Sequence, residues 1–132
     1  MWKAELDNMK QMIEEGRKKD NIYIEKMANE VANNIIIFLE KYKEIILGLL
    51  QESNGKINSD DIKNKINDYK EYEFYHCLFH IDPESPEFHY KIGSRAGKMI
   101  SEKMEIKCNI AISLHSYRKS PHYHDVVFTL QL

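Results

Sequence analysis

Ile24, Ala28, Val31, Ile35, Phe38, Tyr42, Ile45 and Leu49 follow one another at steps of four and three without a miss. That spacing keeps one apolar stripe on one side of a helix for more than three heptads, so the segment should be a long helix packed along another surface. From Asp20 to Ser53 it would run roughly 50 Å at 1.5 Å per residue. A compact domain of 132 residues has a radius of gyration of only about 14 Å. Something must therefore cover the stripe: a preceding helix, a second subunit or a bound partner. The reading assigns Ile24, Val31, Ile35, Phe38, Tyr42, Ile45 and Leu49 to an oligomer interface and predicts self-association, most simply a homodimer.

Trp2, Leu6, Met9 and Ile13 step by four, three and four, which predicts a first amphipathic helix to about Glu15. Gly16 weakens it. Arg17, Lys18 and Lys19 suit a helix C-terminus and Asp20 suits the N-cap of the next helix, so a turn is expected there and with it a helical hairpin. A single continuous helix is the rival reading, since four, three and four from Ile13 pass through Arg17 and Asp20 to Ile24.

Beyond Leu50 the stretch Ser53-Asn54-Gly55-Lys56 reads as a turn, and Ser59-Asp60-Asp61 opens a third helix with Ile62, Ile66 and Tyr69 inward. From Glu73 the chain turns aromatic and alternating, predicting a strand over 73–81 with a helix as the rival. Two prolines in Asp82-Pro83-Glu84-Ser85-Pro86 impose a loop. Phe88, Tyr90 and Ile92 then suggest a returning strand, and Ser94 caps a short helix to about Met104. The last third alternates at Ile106, Cys108, Ile110, Ile112 and Leu114, and again at Val126, Phe128 and Leu130, which predicts a β-hairpin. Two registers keep its faces. The preferred one sets Leu114 opposite Val126, Ile112 opposite Phe128 and Ile110 opposite Leu130; a two-residue slip sets Ser113 opposite Asp125 and His115 opposite Tyr123.

Charge and composition narrow the functional classes. A formal charge of -2 with 30% charged residues gives no bulk attraction for nucleic acid and argues against that partner. The near-balanced polar face of the second helix is unlike that of a basic membrane-surface helix, and no run approaches the roughly 20 apolar residues of a membrane span. The start Met1-Trp2-Lys3-Ala4-Glu5 lacks the apolar core of a signal peptide. Cys77 and Cys108, both in apolar runs, read as buried reduced thiols, and a cytoplasmic setting follows. Ile, Lys and Asn fill 43 of 132 positions against three Arg, which suggests an AT-rich coding sequence and an origin in a low-GC bacterium or one of its phages.

The chemistry-bearing residues gather on the polar face of the terminal hairpin: Ser113, His115, Tyr117, Tyr123 and Asp125. A carboxylate near an imidazole and a hydroxyl is the raw material of acyl transfer, but the same residues make an ordinary contact surface, and tyrosines are good interface anchors. A small hydrolase using His115 with Asp125, or a zinc site built from His115, His122 and Asp125, is the competing reading. His76 and His80 would share a helix face but stand about 13 Å apart on a strand, too far for one ion. Gly93-Ser94-Arg95-Ala96-Gly97-Lys98-Met99 is like a phosphate loop, with its glycines one residue too close and Met99 where a hydroxyl is needed. What survives is an anion site at a helix start, using Arg95 and Lys98. Asn54 to Asp61 matches the second half of an EF-hand loop, but Leu50 stands at the first ligand position and the chain ends the motif on Asp61 rather than Glu.

The expectation is one α+β domain over 1–132, mainly helical over 1–72 and mainly β over 73–132: a helical hairpin with one long heptad helix, then a sheet of three or four antiparallel strands ending in a hairpin. Its function is expected to be non-enzymatic, an oligomeric inhibitor or adaptor meeting a partner protein or small anionic ligand through Ser113, His115, Tyr117, Tyr123 and Asp125 with Arg95 and Lys98. No metal and no cofactor is called for.

Overall fold

The structure is a computed structural model and describes residues 2–66, 88–114 and 124–132. The class is α+β: among the described residues there are a long N-terminal helix, three further helices, and a three-stranded antiparallel sheet. Helix α1 spans Trp2–Lys41, α2 Lys43–Glu52, β1 Lys56–Asn58, α3 Ser59–Ile66, α4 His89–Met104, β2 Lys107–Leu114 and β3 His124–Gln131.

The turn expected at Gly16–Asp20 is absent, and α1 runs through it. Glu14 and Lys18, like Glu15 and Lys19, stand four apart in the order that supports a helix, and nothing meets the open side of Gly16 within 4 Å. A break comes instead at Tyr42, whose φ of -108° and ψ of 24° leave the helical region, although Tyr42 N–H still bonds Phe38 and Ile46 N–H still bonds Tyr42. The break moves the inward face on by one residue. Ile46 and Leu50 are buried where the heptad phase placed Ile45 and Leu49, and those two, like Tyr42, are only half-buried.

One hydrophobic cluster holds these elements together. α1 contributes Ile24, Ala28, Val31, Ile35 and Phe38, α4 contributes Ile92, Ala96 and Ile100, and the strands contribute Ile57, Cys108, Val126, Phe128 and Leu130. The strand expected at Phe88, Tyr90 and Ile92 is the first turn of α4, and Ser94 lies inside that helix rather than at its cap. His89, Ile92, Gly93, Ala96, Gly97 and Ile100 are its buried residues, spaced as one helical face. Two glycines bring that face against β2. A Cβ on Gly93 would stand 2.7 Å from the Ile110 carbonyl oxygen, and one on Gly97 would stand 2.7 Å from that of Cys108. Ser101 fastens the same contact, its hydroxyl donating to the Gly97 carbonyl at 2.8 Å and accepting from Cys108 N–H at 3.0 Å.

The sheet order is β1-β3-β2. β1 was not foreseen, because a single apolar residue, Ile57, between Lys56 and Asn58 carries no alternation of its own; β3 specifies it by pairing Ile57 with Leu130. At the end of β1, the buried Ser59 hydroxyl accepts Phe128 N–H at 3.1 Å. Asn58 therefore caps α3 in its place: its side chain accepts Asp61 N–H and Asp61 accepts Asn58 N–H, both at 2.9 Å. The hairpin adopts the slipped register, with Ile112 opposite Val126, Ile110 opposite Phe128 and Ser113 opposite Asp125. Both registers turn the same residues inward, so hydrophobic patterning alone could not separate them.

Candidate functional site

The expected polar face falls largely outside the described residues: His115, Tyr117 and Tyr123 are among those not described, as are His76, His80 and His122 and the strand expected over 73–81. Ser113 and Asp125 are described in backbone and stand directly across the ladder from each other. Among the described residues no group of three or more His, Cys, Asp or Glu is placed to hold a metal ion.

Arg95 and Lys98 lie in the interior of α4, not at its start, so no free helix amides accompany them and the premise of an anion site there is removed. Arg95 has a structural partner. Its Nε donates to Glu25 Oε2 at 2.9 Å and its Nη2 to Glu25 Oε1 at 3.1 Å, a two-pronged clamp between α4 and α1. The guanidinium holds the Glu25 carboxyl below its ordinary range. Lys98 is exposed. Cys108, a free thiol in the core, is pushed up to about 12 by burial, which makes it a poor nucleophile. Burial also lowers the His89 imidazole.

The residues assigned to an oligomer interface divide sharply. Ile24, Val31, Ile35 and Phe38 are buried within the chain itself, against α4 and the sheet, with Ile35 only 1% exposed. Phe38 meets the Phe128 ring edge-on at 6.3 Å and the Tyr42 ring at 5.1 Å. The heptad stripe over this stretch is core.

The uncovered surface lies further toward the N-terminus. Every residue of 2–22 is exposed, a helical arm about 30 Å long at 1.5 Å per residue. It presents Trp2 at 78% exposure together with Leu6, Met9, Met12, Ile13 and Ile22. Trp2, Ile13, Ile24 and Ile35 stand eleven apart, three helical turns, so the bare stripe of the arm continues the line that α4 covers lower down. The changeover is abrupt. Tyr23, the first residue after the arm, packs against Phe88 at the start of α4 with ring centroids 5.9 Å apart. The arm is thus one open side of a step whose riser is the beginning of α4. Its stripe was visible in the sequence as Trp2, Leu6, Met9 and Ile13, but its exposure was not.

The fold and this arm define the molecule as an α+β body carrying a projecting amphipathic helix. In comparisons with known proteins the chain matches no family model, no curated protein and no solved structure. No helix among the described residues is long and apolar enough to cross a membrane.

Proposed function

We propose that the protein is a non-catalytic binding protein, an adaptor or inhibitor working in the cytoplasm, whose projecting arm docks on another helical surface. The observation that carries this reading is the bare stripe of Trp2, Leu6, Met9 and Ile13 on a helix whose same stripe is buried at Ile24, Ala28, Val31, Ile35 and Phe38. A solvent-facing row of large apolar side chains at helical spacing marks a docking surface, and helix packing in a groove or against a second helix is the mode such a row serves. The terminal hairpin, where Ser113 and Asp125 face each other in the ladder, supplies a second contact region in this proposal, with His115, Tyr117 and Tyr123 for a partner protein or small ligand. A low-GC bacterial or phage origin belongs to the same proposal.

Native mass spectrometry of the chain purified from its own host tests the reading. The wild type is expected to carry a non-covalently bound polypeptide, and the full-length Leu6→Asp/Ile13→Asp variant to lose it while its body melts at the wild-type temperature. A bare monomer for both chains overturns the proposal.

A further inference from the structure

We infer that Met9 is a redox modification site: oxidation of its thioether by a hydroperoxide interrupts the apolar stripe of the arm and frees the arm from the helical surface it docks on. This rests on the reading of the arm as a docking surface and adds its regulation.

Burial sorts the methionines. The chain has six, and the surroundings of five are described. Met27 is 7% exposed and belongs to the core cluster, while Met99 and Met104 are half-buried against it. Met9 and Met12, on the arm, are 56% and 70% exposed. A dissolved oxidant reaches sulfur where solvent does, so the arm carries the thioethers that react first among these five. Cys108, the free thiol in the core, is closed to solvent and kept protonated by burial, so it does not compete for the oxidant.

Helical position then separates the two exposed methionines. Met9 lies three residues after Leu6 and four before Ile13, which sets it in the line of Trp2, Leu6 and Ile13 with an apolar neighbour on either side. Met12 stands about 90° round the helix from the middle of that line, at about 100° per residue. Its neighbours at helical spacing are Asn8 and Glu15, so it belongs to the polar flank. Among the described methionines Met9 alone is both open to solvent and part of the surface that the arm offers.

The step balances with the oxidant as its one co-reactant. A lone pair of the Met9 sulfur attacks the outer oxygen of the hydroperoxide; the O–O bond breaks and an S–O bond forms. The proton of the attacked oxygen passes to the leaving group, which departs as an alcohol or, from hydrogen peroxide, as water. Sulfur loses the electron pair that the peroxide gains. The product side chain is polar and chiral where the thioether was apolar and adaptable. A docked stripe has to bury that S–O group in the middle of its apolar row, and a buried polar group without a partner costs affinity. Linkage runs both ways: docking covers Met9, so oxidation acts on the free arm and protection follows binding.

The polypeptide recovered with the wild type, released and added back, is the probe. Full-length wild type, Met9→Leu and Met12→Leu are treated with dilute hydrogen peroxide, peptide masses locate the sulfoxides, and each chain is compared with itself before and after. Oxidation is expected to weaken rebinding roughly tenfold or more in the wild type and in Met12→Leu, and by less than about twofold in Met9→Leu. Methionine sulfoxide reductase should restore the oxidised wild type. Circular dichroism checks that the oxidised chains retain the helical body. A wild type that rebinds undiminished with Met9 sulfoxide confirmed, or an equal loss in Met9→Leu, overturns the switch and leaves the docking surface standing. A chain from which no polypeptide is recovered overturns the docking surface and the switch with it.

Discussion

Helix α1 carries one apolar stripe through two environments. From Ile24 to Leu39 the stripe is buried against α4 and the sheet, and over residues 2–22 the same line of the helix faces solvent. Periodicity is alike in both halves, so periodicity tells which residues share a face and not what covers that face. The difference is made elsewhere in the chain, where α4 begins at His89 and ends the open side of the step. The lower half is held by tertiary burial, which supplies most helical stability in proteins. The upper half has only the favourable four-residue spacing of Glu14 with Lys18 and Glu15 with Lys19, worth about 0.2–0.5 kcal/mol per pair, and whatever docks on it.

The largest expected contrast comes from emptying one position in each half. Phe38→Ala, at a fully packed aromatic site, should cost about 3–5 kcal/mol in urea unfolding monitored by circular dichroism, whereas Leu6→Ala should leave the body's midpoint within about 0.5 kcal/mol of wild type under monomeric conditions. Equal losses would show that the arm belongs to the body's cooperative unit.

Glycine sharpens the contrast next. Gly97→Ala places a Cβ against the Cys108 carbonyl, and forcing α4 off β2 should cost roughly 1–3 kcal/mol, more than the helix preference of alanine returns. Thermal unfolding of Gly97→Ala measures this. Gly16→Ala meets open space, so it should gain about 0.5–1 kcal/mol of local helix preference and raise far-UV helicity without moving the body's melting temperature.

Acid provides a smaller test. Burial lowers the His89 imidazole in the folded chain, while the unfolded chain takes up a proton near about pH 6.5. The unfolded state therefore binds more protons below that value, so this contribution to stability is full above about pH 6.5 and is lost as pH falls toward the lowered folded value. Melting temperature measured across that range should drop in the wild type, and the drop should shrink in His89→Leu. Arm variants should leave its size unchanged.

Much of this fold was legible because burial imposes a period. The core faces of α1, β2 and β3 follow from spacing alone, and the α+β order follows from the change of period along the chain. What escaped was set by neighbours rather than by the segment itself. β1 depends on β3, and the register of β3 on β2 depends on the intervening segment, since two residues of slip leave every face unchanged. Gly93 and Gly97 look like part of a phosphate loop, which their spacing and Met99 already argue against, because a loop and a close helix contact both require glycine; Ile92, Ala96 and Ile100 at helical spacing are the signal for the helix contact. At Gly16 the opposite happened: glycine followed by three cations has the signature of a helix end, but Glu14 and Glu15 stand four residues before Lys18 and Lys19, the spacing that supports a continuing helix. The interface expected on Ile24, Val31, Ile35 and Phe38 is core for the same reason that β1 was missed, because the covering element comes from distant sequence.

Residue-resolved amide hydrogen exchange of the full-length chain tests the division of α1 most directly. At a dilution where the chain is monomeric, amides over 24–39 are predicted to exchange only with global unfolding, while those over 2–22 exchange orders of magnitude faster. Protection of the arm equal to that of the body at monomeric dilution would contradict the account.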